Sequence, residues 1–127
     1  MSLNPMDAYK KVEQDTLSGS EVEAAVLIKA ADKMQDCQDQ WDAEACERKL
    51  DESLKFNQLI WSIFQSELSA EDNPLPKDLR VNLLRLSSFI DGRSLETMAY
   101  PAPEKLTILI NINRNIAAGL REHPKAA

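Results

Sequence analysis

The sequence contains little glycine and few aromatic residues. Its 127 residues include 3 glycines, and aromatic side chains make up 6% of the chain. A β-sandwich or β-barrel requires many turns, which this composition does not supply. Alanine, leucine, glutamate and lysine are plentiful instead, and the hydrophobic fraction of 43% is ordinary for a globular domain and too high for a disordered chain. The composition therefore predicts an all-α fold.

The sequence also lacks long apolar runs and an excess of positive charge. No segment approaches the roughly 18 apolar residues of a membrane span, and residues 1–7 contain neither the basic nor the apolar stretch of an export signal. The net charge of −6 disfavours direct binding to nucleic acid. We expect a cytoplasmic protein without membrane contact. The length suits one domain over residues 1–127, with a core at about 5–121 and a frayed tail at 122–127.

Residues that commonly carry catalysis are scarce. The single histidine, His123, lies beside Pro124 near the end of the chain. Cys37 and Cys46 are nine residues apart, which is not a zinc-site spacing, and without an export signal we expect both thiols to be reduced. Neither a glycine-rich phosphate loop nor a grouping of serine, histidine and acid is present. We therefore predict that the protein is not an enzyme and binds no metal or cofactor.

Apolar residues recur at helical spacing in five segments of the chain. These segments cover about residues 5–15, 20–38, 43–68, 76–100 and 104–121. Ser20 and Glu23 form a capping box at the start of the second segment, and Pro76 suits the first helical position of the fourth. Gly92 either ends the fourth helix or lies within a helix that continues to Tyr100.

The last segment is ambiguous over part of its length. Residues 107–113 alternate apolar and polar side chains and contain branched isoleucines, which would also suit a strand. Helical spacing continues to Leu120, so we predict a helix. The chain should form a single small bundle of about five helices. The predicted buried stripes of the third and fourth helices include Leu50, Leu54, Trp61, Phe64 and Leu68, widened by Phe56, Ile60 and Ile63, and Leu79, Leu83, Leu86 and Ile90.

Two asparagines interrupt the predicted apolar stripes. Asn57 lies between Leu54 and Trp61 on the third helix, and Asn113 has a corresponding place on the last helix. A buried amide without a partner costs about 1–3 kcal/mol, so each should have one. One interpretation is that both are satisfied core amides that fix the helix register. The other is that they face one another, or line a groove that receives another chain.

Two further side chains have both a structural and a functional interpretation. Arg114 belongs either to a polar solvent face of the last helix or to a recognition surface, where it would bind a carboxylate through two hydrogen bonds. Trp61 is either a core residue or the anchor of an interface.

Three short sequences, taken in order and spacing, resemble those of a known family. They are Asn57 with Ile60 and Trp61, the Asn-Pro-Leu-Pro of residues 73–76 with Leu79 and Arg80, and the Ile-Asn-Arg-Asn-Ile-Ala-Ala-Gly-Leu of residues 112–120. Together they resemble the FlaF family of flagellar biosynthesis regulators. The likeness extends from Tyr9 to Leu120.

This resemblance implies a function that composition and spacing do not reveal. FlaF proteins are associated with flagellin secretion and with control of flagellin synthesis, alongside the regulator FlbT. We therefore predict a chaperone or regulator that binds the amphipathic terminal helices of flagellin in an apolar groove and promotes flagellin synthesis and secretion. The alternative is a post-transcriptional regulator that acts on flagellin messenger RNA directly or through FlbT. The predicted partner-binding residues are Asn57, Ile60, Trp61, Phe64, Ile112, Asn113 and Arg114.

Overall fold

A computed structural model of the protein describes residues 18–42 and 46–122. The helices are α1 (Ser18–Asp39), α2 (Cys46–Ser69), α3 (Lys77–Ala99) and α4 (Leu106–Glu122), and a short 3-10 helix (Pro103–Lys105) precedes α4. The described residues contain no strand, so the all-α fold is confirmed and residues 107–113 are helical. The described part has four α-helices and not about five, since the first predicted helix falls on residues outside it.

Two predicted helix starts need correction. Helix α1 begins at Ser18, so Ser20 lies inside the helix and is not the N-cap that a capping box would require. Pro76 is the residue before α3, with φ −55° and ψ 145°, and therefore precedes the first helical position. The fixed φ of proline suits both the first helical position and the residue before it, but a helical residue does not have this extended ψ. The predicted start of α2 at about residue 43 lies outside the described residues.

Helix α3 continues through Gly92 and ends at Ala99. A glycine inside a helix costs about 1 kcal/mol relative to alanine, which is small beside the packing that Ile90, Ser94 and Thr97 make around it as buried residues. The backbone N–H of Tyr100 donates to the Glu96 carbonyl at 2.8 Å and closes the last turn. At the other end of the bundle, α4 includes Glu122 as its last helical residue, so this residue does not belong to the predicted frayed tail. The rest of that tail lies outside the described residues.

Helix α1 lies at the centre of the bundle, between α4 and α2. It packs most extensively on α4, while α3 packs mainly on α2. Ala24, Ala30 and Ala31 are fully buried on α1, and such small side chains allow neighbouring helices to approach closely. The Gln38 side chain also joins the end of α1 to the start of α4, since its Nε2 donates to the Pro103 carbonyl at 2.8 Å.

The two predicted stripes are only partly buried. On α3, Ile90 is the one buried hydrophobic residue, and Leu79 is 44% exposed. On α2, Ile63 is also largely exposed. Part of the contact between α3 and α2 is polar instead, since Nε2 of Gln65 donates to the Ser87 hydroxyl and to Oδ2 of Asp91. None of the helices in the described ranges combines the length and hydropathy that crossing a bilayer requires.

Candidate functional site

The two asparagines of the predicted stripes are hydrogen-bonded to each other in the core. Both are fully buried, and Nδ2 of Asn113 donates to Oδ1 of Asn57 at 2.7 Å. The same Nδ2 donates to the Leu27 carbonyl of α1 at 3.3 Å. Oδ1 of Asn113 accepts a hydrogen bond from the Trp61 indole N–H at 3.0 Å. This set, which we call the amide cluster, joins α1, α2 and α4 at one level of the bundle.

Asn113 is the central member of the amide cluster and Asn57 a peripheral one. Asn113 uses both ends of its amide, whereas Nδ2 of Asn57 has no hydrogen-bond partner within the described structure. Turning the Asn57 amide over would bring its NH₂ against the NH₂ of Asn113, so the observed orientation is the better of the two. The cluster therefore fixes the α2–α4 register through directional bonds and carries one unsatisfied donor.

An open groove of about 370 Å³ lies next to the amide cluster. Its walls come from the C-terminal half of α2, the loop after it, the first turns of α3 and the end of α4, with one contribution from α1. Its lining residues are Glu23, Trp61, Phe64, Glu67, Leu68, Asn73, Leu75, Leu79, Leu83, Asn115, Ile116, Gly119 and Leu120. Most of these side chains are apolar, and we call this feature the apolar groove.

The loop wall of the apolar groove is held by Asn73. Its Nδ2 donates to the Glu67 carbonyl at 2.9 Å and so satisfies one of the free carbonyls at the end of α2. Its Oδ1 accepts the backbone N–H of Leu75 at 2.9 Å, which is an Asx turn. The two bonds fix the chain between the two prolines, and Leu75 consequently forms part of the wall.

The base of the apolar groove is formed by aromatic rings. Trp61 and Phe64 contact each other edge to face, with ring centroids 5.5 Å apart and an interplanar angle of 81°. Trp61 is almost completely buried, and its indole N–H is held by Asn113. The amide cluster therefore positions the ring that forms the base, because an indole with a bonded N–H has one preferred orientation.

The structure places two of the seven predicted partner-binding residues in the apolar groove, namely Trp61 and Phe64. Ile60 is buried and Ile112 is partly buried against the core. The remaining three are Asn57 and Asn113, which have no exposed surface, and Arg114, whose Nη2 lies 3.4 Å from Oδ1 of Asp32. The amide cluster thus supports the groove from inside.

Six leucine and isoleucine residues of the groove are absent from the predicted set. They are Leu68, Leu75, Leu79, Leu83, Ile116 and Leu120. Leu79 and Leu83 are one turn apart directly after the loop, and this spacing predicts a buried face. A helical stripe does not reveal whether another helix covers it or whether it lines an open groove. The position of Leu75 between two prolines is a sequence signal for a fixed, accessible apolar side chain.

The charged residues around the groove are mostly acidic. Glu23 and Glu67 belong to its lining. Arg121, which follows the lining residue Leu120 on α4, has its Nε 3.6 Å from Oε2 of Glu21. Among the described residues, no three or more histidine, cysteine, aspartate or glutamate side chains are grouped so as to hold a metal ion.

One comparison with known proteins finds a relationship. The family model "Flagellar protein FlaF" matches residues 5–120, which is almost the whole chain. No curated protein and no solved structure matches the chain significantly. The family match includes every helix described above up to Leu120, and with them the amide cluster and the apolar groove. The chain therefore belongs to the FlaF family of flagellar proteins.

Proposed function

We propose that this protein is a flagellin-binding chaperone or regulator, without enzymatic activity, that holds flagellin before its export and promotes its synthesis and secretion. The observation that supports this proposal is the apolar groove in a chain of the FlaF family. The groove exposes leucine and isoleucine side chains on walls from α2, α3 and α4. Such a surface suits an apolar client, since burying each leucine-sized side chain contributes about 1.5–3 kcal/mol.

The proposed client segment is an amphipathic terminal helix of flagellin. An amphipathic helix places its apolar side chains on one face, which is the usual occupant of a groove between helices. Glu23 and Glu67 add negative charge to the lining, and would favour a client helix that has basic residues beside its apolar face. Leu79, which is 44% exposed, is the most exposed of the large hydrophobic residues that line the groove in the described structure.

Direct binding of flagellin messenger RNA is the less favoured alternative. An RNA-binding surface needs basic side chains free to contact phosphates. Arg114 is paired with Asp32 and Arg121 with Glu21, while the Arg93 guanidinium lies 5.6 Å from the centroid of the Phe89 ring. Regulation through FlbT would use a protein surface and is compatible with the same groove.

The test compares two leucines of α3 that differ in their relation to the groove. Leu79 lines the groove, while Leu95 is 60% exposed on the same helix and is not among the lining residues. We expect Leu79→Glu to weaken flagellin binding at least tenfold, because it removes a leucine that the client helix would bury and places a carboxylate in an apolar contact. Leu95→Glu should change affinity less than about twofold. Titration calorimetry with monomeric flagellin measures both, with circular dichroism as the control for folding.

The outcomes separate the candidate functions. Equal affinities for the two variants would remove the groove from the proposal, and absence of both heat and co-elution with flagellin for the unmodified protein would remove flagellin itself. Salt provides the second comparison, because RNA affinity falls steeply with added salt whereas burial of an apolar helix changes little. A Trp61 variant does not serve here, since the loss of its buried hydrogen bond would disturb the fold.

A further inference from the structure

The two cysteines of the chain lie side by side where α1 and α2 meet. Cys37 is in the last turn of α1 and Cys46 is the first residue of α2. Their Sγ atoms are 3.3 Å apart, and both side chains are buried, with 1% and 6% of their surface exposed. We propose that this pair is a modification site, a dithiol that oxidises to an intramolecular disulfide and covalently joins α1 to α2.

The side chains already face each other. The Sγ of Cys37 lies 3.8 Å from the Cys46 carbonyl oxygen, and the Sγ of Cys46 lies 3.6 Å from the Cys37 carbonyl oxygen. A disulfide has a sulfur–sulfur distance of about 2.05 Å, so the two atoms need to approach by about 1.2 Å.

The oxidant is a small-molecule disulfide such as oxidised glutathione, and the reaction proceeds by two exchanges. The thiolate of Cys46, the more exposed of the two sulfurs, attacks one sulfur of the oxidant and releases a glutathione thiolate. The thiolate of Cys37 then attacks the Cys46 sulfur of the mixed disulfide and releases the second glutathione thiolate. The two thiol protons end on the two glutathione molecules, and the protein loses two electrons.

Burial of the two thiols slows disulfide formation, but it does not shift the equilibrium between dithiol and disulfide toward the dithiol. It raises the pKa of the Cys37 thiol to about 12, and the hydrogen bond to Cys46 acts in the same direction. At neutral pH the thiolate fraction is therefore very small, and exchange is slow, because the thiolate is the attacking species. Once formed, the disulfide is equally protected from reduction by its burial. The site should respond to sustained oxidation and not to brief exposure.

The site lies at the opposite end of the α1–α2 pair from the apolar groove. The groove contacts α1 at Glu23 and α2 from Trp61 to Leu68, whereas the cysteines occupy the other end of both helices. The disulfide should therefore stabilise the α1–α2 connection and leave the groove lining unchanged. This inference does not depend on the proposed function, and its test needs no flagellin.

The test is a redox titration of the full chain in glutathione buffers, with alkylation of the remaining thiols and mass spectrometry as the readout. Because the chain has two cysteines, an intramolecular disulfide is identified by a mass loss of about 2 Da without alkylation. The native chain should favour the disulfide by about 10- to 100-fold over the chain in urea, since the fold holds the thiols together. The oxidised chain should also melt roughly 5–10 °C higher.

The matched control is Cys37→Ala, which keeps Cys46 and should accept one glutathione without any mass loss or rise in melting temperature. Equilibrium is approached from both sides, starting from reduced native chain and from chain that was oxidised in urea and then refolded. A disulfide that is reduced more readily in the native chain than in urea would overturn the proposal. Stable accumulation of glutathione adducts on the native chain would overturn it too.

Discussion

Asn113→Leu should destabilise the protein far more than Asn57→Leu, although both residues are buried asparagines bonded to each other. Asn113 makes three hydrogen bonds, to Trp61, Asn57 and the Leu27 carbonyl. Asn57 takes part in one of these bonds, and its own Nδ2 has no partner within the described structure. The two substitutions remove the same kind of side chain from the same cluster, but they leave different groups unpaired.

The expected magnitudes follow from counting those groups. Asn113→Leu leaves the Trp61 N–H without an acceptor and Oδ1 of Asn57 without a donor, at about 1–3 kcal/mol each, for a total of about 2–6 kcal/mol. Asn57→Leu leaves one N–H of Asn113 unpaired but removes an NH₂ that is already unpaired, and the two effects cancel to within about 1 kcal/mol. Leucine is larger than asparagine, but the strain of overpacking affects both sites.

Urea unfolding followed by circular dichroism measures both free energies. The chain has two tryptophans, so tryptophan fluorescence in a Trp41→Phe background reports the loss of the buried site of Trp61. The difference between the variants should be at least about 1 kcal/mol, which corresponds to a melting-temperature difference of at least roughly 3–5 °C for a domain of this size. The double variant Asn57→Leu/Asn113→Leu should be more stable than Asn113→Leu alone, since it no longer contains the stranded Asn57 amide. Equal destabilisation by the two single substitutions would refute the assignment of Asn113 as the central member.

Two further predictions concern backbone entropy and pH. Gly92→Ala should raise the free energy of unfolding by about 0.5–1 kcal/mol, because a Cβ at this helical position meets no atom within 4 Å; a lower melting temperature would contradict this. The pKa of Cys37 rises from 9.0 to about 12 on folding, chiefly through burial, so the folded chain keeps a proton that the unfolded chain releases. The stability from the neutral thiol is complete below about pH 9 and is lost between about pH 9 and 12. The unfolding free energy of the unmodified chain minus that of Cys37→Ala should therefore fall across this range, and a constant difference would exclude the shift.

The helices themselves could be predicted from the sequence, because the segments with helical spacing of apolar residues are separated at the positions of the prolines. The prolines at 74 and 76 lie between α2 and α3, and those at 101 and 103 lie between α3 and α4, as expected for residues that cannot continue a helix. The face that α3 buries could not be predicted. Gln65 of α2 donates through Nε2 to the Ser87 hydroxyl and to Oδ2 of Asp91 at 3.0 Å, so α3 packs through polar contacts that a hydrophobic pattern does not register.

The amide cluster shows a second limit of sequence reasoning. Physical chemistry requires a partner for each buried asparagine, and this requirement is visible in the sequence. One partner is also predicted correctly, since one interpretation of the sequence has the two asparagines facing one another, as they do. The other partners are not predicted, because the Trp61 N–H and the Leu27 carbonyl belong to helices whose relative register depends on the whole bundle. Trp61 has two interpretations from the sequence, core residue and interface anchor. The structure confirms that it is a core residue. It also lines the apolar groove, and its role as an interface anchor stays a prediction.

The amide cluster and the apolar groove are coupled through the register of α4. Asn113 bonds to Trp61 on α2, and the next turn of α4 places Ile116 and Leu120 in the groove wall. A shift of α4 by one residue would break the Asn113 bonds and also rotate both side chains out of the wall, since neighbouring helical positions differ by about 100°. A loss of partner binding in an Asn113 variant would consequently not locate the binding site. Substitution at Leu79, which makes no contribution to the cluster, tests the proposed binding surface separately from the hydrogen bonds that hold it in place.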